Sequence, residues 1–164
     1  MQVHHTATQS GASTAAARAR QPRLDGFISF RGRGTPEPGL SVKVYRNLNR
    51  PSLFSIMAMA GPHKGKVVGY APAILLRDVH FLISEKTRQA VLKRRVRTVH
   101  AFAAGILVTT SETLPDQLAT NDQTTVTYSP YLSGHFHYRN EPDTAITHIN
   151  KAWAWGSGLI VDTL

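Results

Sequence analysis

From Leu40 onward the apolar positions fall at every second residue. In "LSVKVYRNL" Val42 and Val44 alternate with Lys43 and Tyr45, a period of two that buries one face of a strand and leaves the other wet. Asn49, Arg50 and Pro51 then supply a turn. "SLFSIMAMA" and "KVVGYAPAILL" flank "GPHKGK", which predicts a hairpin with a long, basic tip. "RDVHFLIS" predicts a further strand, with Val79, Phe81 and Ile83 on one face and His80 on the other.

The period changes after Ser84. Ser84 can cap a helix whose first turn carries Glu85, where a negative charge meets the positive end of the helix dipole. "EKTRQAVLKRR" predicts that helix, with Val91 and Leu92 toward a core and Lys86, Arg88, Lys93, Arg94 and Arg95 around the outside. "TVHAFAAGILVTT" follows without a charge from Val99 to Thr110, as suits a central, buried strand. "SETLPDQLATNDQ" reads as a polar connection, and "TTVTYSPY" and "GHFHYR" as further strand segments. "DTAITHINKAW" predicts the start of a short helix, because Ala145, Ile149 and Ala152 are helically spaced. "AWAW" and "LIVD" predict a last hairpin across Gly156, Ser157 and Gly158.

These elements predict an α+β fold, mostly antiparallel β-sheet, as a curled sheet or partial barrel with one short basic helix. Residues 1–38 read as a flexible basic tail, because small and polar residues dominate and "FRGRGTPEPG" breaks any element. Phe27, Ile28 and Phe30 stand out in it, either as an edge strand that docks or as an aromatic–arginine patch of the kind found in RNA-binding segments. Residues 39–164 form a single globular domain.

Composition narrows the chemistry. There is no cysteine, which excludes disulfides, thiolate metal sites and a cysteine nucleophile. No apolar run is long enough for a signal or a membrane span, so a soluble cytoplasmic protein is expected. The net charge of +9 is unevenly laid out. Residues 1–38 carry five Arg against Asp25 and Glu37. Residues 39–110 carry twelve Lys and Arg against Asp78 and Glu85, and residues 111–164 carry Arg139 and Lys151 against six acids. A segment as basic as the middle one repels itself when compact, so its field is relieved by counterions, by the acidic last third or by a polyanionic partner.

The cations cluster where the helix runs into the following strand. Lys93, Arg94, Arg95 and Arg97 exceed what complementing a helix C-terminus needs, and Lys86 and Arg88 add two cations earlier on the helix. They are the candidate phosphate contacts, with Lys64 and Lys66 of the hairpin tip. "GPHKGK" itself is no phosphate loop: three residues instead of four separate Gly61 from Gly65-Lys66, and Val67 follows where Ser or Thr is required. In "HFHYRNE", His135 and His137 point the same way on a strand and Glu141 follows. This spacing resembles the first metal motif of cupin barrels, without its bracketing glycines, and makes His135, His137 and Glu141 candidate ligands for a divalent metal. No cofactor is otherwise implied. Trp153 and Trp155 share a strand face, where cross-strand packing is the expected role.

Several blocks of the middle region form a pattern: "YRNL" at Tyr45–Leu48, G-x-V-V at Gly65–Val68, L-x-D-V-x-F at Leu76–Phe81, a basic helix, and "VHA" at Val99–Ala101. With them the chain resembles a group of small proteins carried by bacteria, bacteriophages and plasmids. The resemblance implies a compact domain in a mobile-element setting and brings no activity and no functional residue with it.

No nucleophile, base and orienter can be assembled from the sequence. The expected function is therefore non-catalytic binding of nucleic acid or a nucleoprotein through the basic helix and the hairpin tip. One alternative is an accessory or inhibitor protein of a mobile element whose basic surface meets an acidic protein partner. The other is a small metal-dependent enzyme using the histidine-rich stretch.

Overall fold

The computed structural model describes residues 24–118, 120–156 and 158–161. Its strands are β1 (Ile28–Ser29), β2 (Ser41–Arg46), β3 (Phe54–Ala58), β4 (Val67–Ala71), β5 (Ala73–Ile83), β6 (Ala101–Ser111), β7 (Thr125–Thr127), β8 (His137–Tyr138), β9 (His148–Trp155) and β10 (Gly158–Val161). One helix, α1 (Glu85–Arg94), joins β5 to β6. All ten strands belong to a single sheet in the order β1-β4-β3-β2-β6-β5-β9-β10-β7-β8. Every neighbouring pair is antiparallel.

Alternation decides which face is buried. Val42 and Val44 of β2, Phe54 and Ile56 of β3, Ile74 and Leu76 of β5, Ala103 and Leu107 of β6, and Ala152 and Ala154 of β9 all enter one core. Val126 of β7 and Leu159 of β10 join it. Val44 and Phe54 also line the same cavity of about 290 Å³ as Val126 and Leu159, although β2 and β7 stand five places apart in the sheet. The sheet therefore curls around its concave face. It stays open, because the edge strands β1 and β8 do not pair with each other.

Two irregularities fit the long central strands together. The β5–β6 register shifts between Leu75 and Leu76 and again between Arg77 and His80. At the second shift Asp78 adopts a left-handed backbone, φ 52°, as the extra residue of a β-bulge does. The bulge resets the alternation, so Val79 and Phe81 face the core as Ile74 and Leu76 do.

On the convex face, Ala73, Leu75 and Trp153 are buried together, with Val108, Leu114, Leu118 and Trp155 packed against them. The polar connection after β6 thus supplies two leucines, Leu114 and Leu118, that pack on this part of the convex face, where Trp153 and Trp155 also pack.

Two sequence expectations change. The stretch "DTAITHINKAW" does not start a helix: from His148 it is β9, paired with β5 from Ala73↔Trp155 to His80↔His148. Its helical spacing coincided with positions that suit a strand, and the exposed edge of β5 decided between them. Residues 24–30 are part of the fold. Leu24 is buried, Phe27 packs on the core, and β1 pairs with β4. Phe27 lies over Gly69, in the space a Cβ would occupy. Residues 1–23 of the expected tail lie outside the described residues.

Candidate nucleic-acid interface

The other half of the convex face is aromatic and cationic. Tyr70 of β4 stands opposite Ser55 of β3, and Ser55 stands opposite Tyr45 of β2. The β2–β6 register carries the row on to Phe102 of β6, whose next neighbour is Leu82 of β5. Tyr45 and Phe102 meet edge to face with centroids 5.6 Å apart, and Phe30, just beyond β1, meets Tyr70 in the same way. All four rings remain partly exposed, and Leu82 is 45% exposed. Burial, and next the neighbouring Tyr70, raise the pKa of the Tyr45 phenol above its ordinary value.

Cations border Phe30, Tyr70 and Phe102. Lys43 Nζ lies 4.5 Å from the centre of Phe102, the Arg50 guanidinium 5.9 Å from that of Tyr70, and Arg31 and Arg33 lie 4.9 and 5.5 Å from that of Phe30. Arg33 is also tied to the Val67 carbonyl. No Asp or Glu occurs from residue 38 to residue 77 or from residue 86 to residue 111. The strands of this half therefore carry no carboxylate to neutralise the cations.

The helix cations sit at one end of the same sheet. Ser84 accepts a hydrogen bond from the Thr87 amide, and Arg95 ends α1 in a left-handed conformation, its amide bonded to the Val91 carbonyl. Lys86, Lys93, Arg94, Arg95 and Arg97 are exposed and have no ion-pair partner among the described residues. Arg88 differs from them. Its side chain is 17% exposed, pairs with Glu85 at 3.0 Å and donates to the Pro130 carbonyl at 3.2 Å. It anchors α1 to the loop after β7. A hydrogen bond from Gln89, and then Arg88, lower the Glu85 pKa.

Lys64 and Lys66 are exposed at the β3–β4 tip, but the tip is not beside the helix. β2 and β3 pair Arg46 with Phe54 at the end where α1 meets β6, and Val42 with Ala58 at the other end, from which the tip extends. The basic helix and the basic tip thus mark opposite ends of the sheet, with the aromatic row near the helix end.

The matching sequence family is described as Mycobacterium phage L5 gene 82 protein, and the match spans residues 35–152. The chain belongs to this family. The gene 82 protein of Mycobacterium phage L5 is 29% identical to it over 111 residues, 65% of this chain and 82% of the phage protein. No solved structure matches. The span shared with the gene 82 family holds Tyr45, Tyr70 and Phe102, α1, and the strands from β2 through most of β9.

The histidines fall into separate environments. His100 Nδ1 donates to the Thr98 carbonyl, so Nε2 accepts from the Tyr128 hydroxyl, both at 2.8 Å. Burial raises the Tyr128 pKa. His135, His137 and Glu141 do not assemble into the expected metal triad. His135 Nε2 is engaged by the Pro142 carbonyl, and His137 is buried with Nδ1 on the Tyr138 carbonyl. Glu141 is exposed in the turn that follows β8, its amide bonded to the Tyr138 carbonyl. Among the described residues these three side chains are not a converging set of ligand atoms.

Among the described residues, the set of three metal-ligating groups that does converge is Asp78, His80 and His148. Hydrogen bonding from His148 chiefly lowers the Asp78 pKa, against an opposing effect of desolvation. Neither this set nor the aromatic row is visible in local sequence. Each draws on strands far apart in the chain, and only the pairing register brings them together.

Among the described residues, no helix is long and apolar enough to cross a membrane.

Proposed function

We propose that this protein binds nucleic acid without catalysing a reaction, and that it takes unpaired bases on the convex face of β4, β3, β2 and β6. The observation that carries this reading is the row Tyr70–Tyr45–Phe102, extended by Phe30 and bordered by Lys43, Arg50, Arg31 and Arg33. Sheet faces that bind single strands combine exposed rings, on which bases stack, with cations that follow the backbone. The stretch from Lys93 to Arg97 at the end of α1 supports the reading as an extension for the phosphates, because no acid of the C-terminal third pairs with it among the described residues. Lys64 and Lys66, at the far end, would engage only a strand long enough to cross the whole sheet.

The test is fluorescence anisotropy of labelled single-stranded and duplex oligonucleotides across a salt series. Tighter binding to the single strand is expected, with log affinity falling against log salt by about 0.7 for each phosphate engaged. Absence of nucleic-acid binding, together with nuclease-resistant capture of an acidic protein from host lysate, would replace this reading with the protein-partner alternative.

A further inference from the structure

His80 and His148 are directly opposed across β5 and β9. Opposed residues on one face of an antiparallel pair have Cβ atoms about 4.5–5.5 Å apart, which allows two imidazoles to converge above the sheet. Their rings lie 4.6 Å apart at 46°. The bulge adds a third ligand. Asp78 has its left-handed backbone there, and its Oδ1 lies 2.7 Å from His148 Nε2 and 3.5 Å from His80 Nε2. All three candidate donor atoms lie within 4.8 Å of one another.

From this geometry we propose that Asp78, His80 and His148 form a binding site for a borderline divalent transition-metal ion such as Zn²⁺, Co²⁺ or Ni²⁺. Two imidazoles and one carboxylate suit such ions better than Mg²⁺ or Ca²⁺, which favour oxygen ligands. A ligand set of this composition, held by three residues, leaves the remaining coordination positions to water or to an exogenous ligand. The three side chains are 63%, 54% and 40% exposed in the order Asp78, His80, His148, so an ion reaches them without any opening of the fold.

Binding requires each imidazole to be neutral and to present its Nε2 lone pair. The proton that His148 now directs at Asp78 must then reside on Nδ1. The backbone explains how the third ligand reaches the pair. Asp tolerates the left-handed region better than most non-glycine residues, and the bulge at Asp78 is what brings its carboxylate to the two imidazoles. The site shares no residue with the aromatic row, and the proposal does not rest on nucleic-acid binding.

The test uses the full chain, without an added histidine tag, titrated with Zn²⁺ by calorimetry and with Co²⁺ by visible absorption. Wild type is expected to bind, and His80→Gln, His148→Gln and Asp78→Asn each to weaken binding by at least about tenfold. His135→Gln is expected to leave the affinity unchanged. Because other histidines of the chain are present throughout, the decisive quantity is the difference between wild type and variant. A His80→Gln/His148→Gln double variant that binds Zn²⁺ like wild type overturns the proposal, as does a wild type that binds neither ion. If a variant melts early, paramagnetic broadening by Ni²⁺ in the wild-type amide spectrum decides the matter. Broadening centred on β5 and β9 around His80 and His148 supports the site, and broadening centred elsewhere overturns it.

Discussion

Tyr45 and Phe102 meet edge to face at 85° across β2 and β6, and the Lys43 ammonium lies over the Phe102 ring from two residues along β2. This contact joins the two features from which the functional reading is built, an exposed aromatic surface and cations with no carboxylate opposite them. The opposite side of the same strands is a core of valine, isoleucine and leucine, so the rings are held on a rigid support. Pre-organised rings lose little conformational entropy when a base stacks on them.

The cations of the face and those of the hairpin tip should differ in the salt dependence they contribute. Lys43→Gln or Arg50→Gln should reduce the magnitude of the log-affinity slope for a short single strand by about 0.7 each. Lys64→Gln and Lys66→Gln should leave it unchanged, since the tip extends from the other end of the sheet. A salt series with a strand of about six nucleotides checks this. Equal effects from both pairs would mean that the charge acts as a diffuse field.

Arg88 and Arg94 should separate structure from binding. Arg88 holds Glu85 and the Pro130 carbonyl from a largely buried position, and removing such a charged hydrogen-bonding partner costs about 1–3 kcal/mol. Arg88→Ala should therefore lower stability in urea, while Arg94→Ala, with an exposed side chain, should leave it within about 0.5 kcal/mol of wild type. The reverse order would contradict the anchoring role given to Arg88.

The docking of residues 24–30 should depend on Gly69. A methyl group there collides with the Phe27 ring and with the Ile28 carbonyl, and overpacking of this kind typically costs about 1–3 kcal/mol. Gly69→Ala should lower the urea midpoint and speed hydrogen exchange of the Phe30 amide, which bonds to the Val68 carbonyl. Unchanged exchange would show that this segment holds without Phe27.

Stability should decline in alkali. The phenols of Tyr45 and Tyr128 titrate above their ordinary value of 10.0 in the folded protein, chiefly because they are partly buried. A group whose folded pKa is raised contributes stability that is complete below the unfolded value and is lost as pH rises through the folded one. The loss should thus begin near pH 10, the unfolded value, and Tyr45→Phe should make it shallower. Urea midpoints measured from neutral to alkaline pH check this, and identical slopes for wild type and Tyr45→Phe would contradict it.

Much of the sheet is legible in the sequence because its strands obey the period of two. Val42 and Val44 mark β2, the uncharged run through Ala103 and Leu107 marks central β6, and Ser84 with Glu85 marks the start of α1. What could not be read locally depends on register. Tyr70, Tyr45 and Phe102 come from three separate segments, and a slip of one residue in any strand would send a ring to the core face. Asp78 looked like an isolated acid in a basic region, and only its bulge brings it to His80 and His148. His135 and His137 formed the more obvious metal pattern in the sequence, but in the fold each ring is engaged by a backbone carbonyl and the three residues are not a converging set among those described. Ala145, Ile149 and Ala152 matched a helix in isolation, yet β5 offered an unpaired edge.

The most direct test of the aromatic surface compares wild type with a Tyr45→Ala/Phe102→Ala variant, both shown to be folded by their melting curves, binding one single-stranded oligonucleotide and its duplex at a fixed salt concentration. Stacking contributes about 1–3 kcal/mol per base by alanine substitution. The account predicts single-strand affinity at least about fivefold weaker in the variant, with duplex affinity nearly unchanged. Equal single-strand affinity for the two proteins would contradict it.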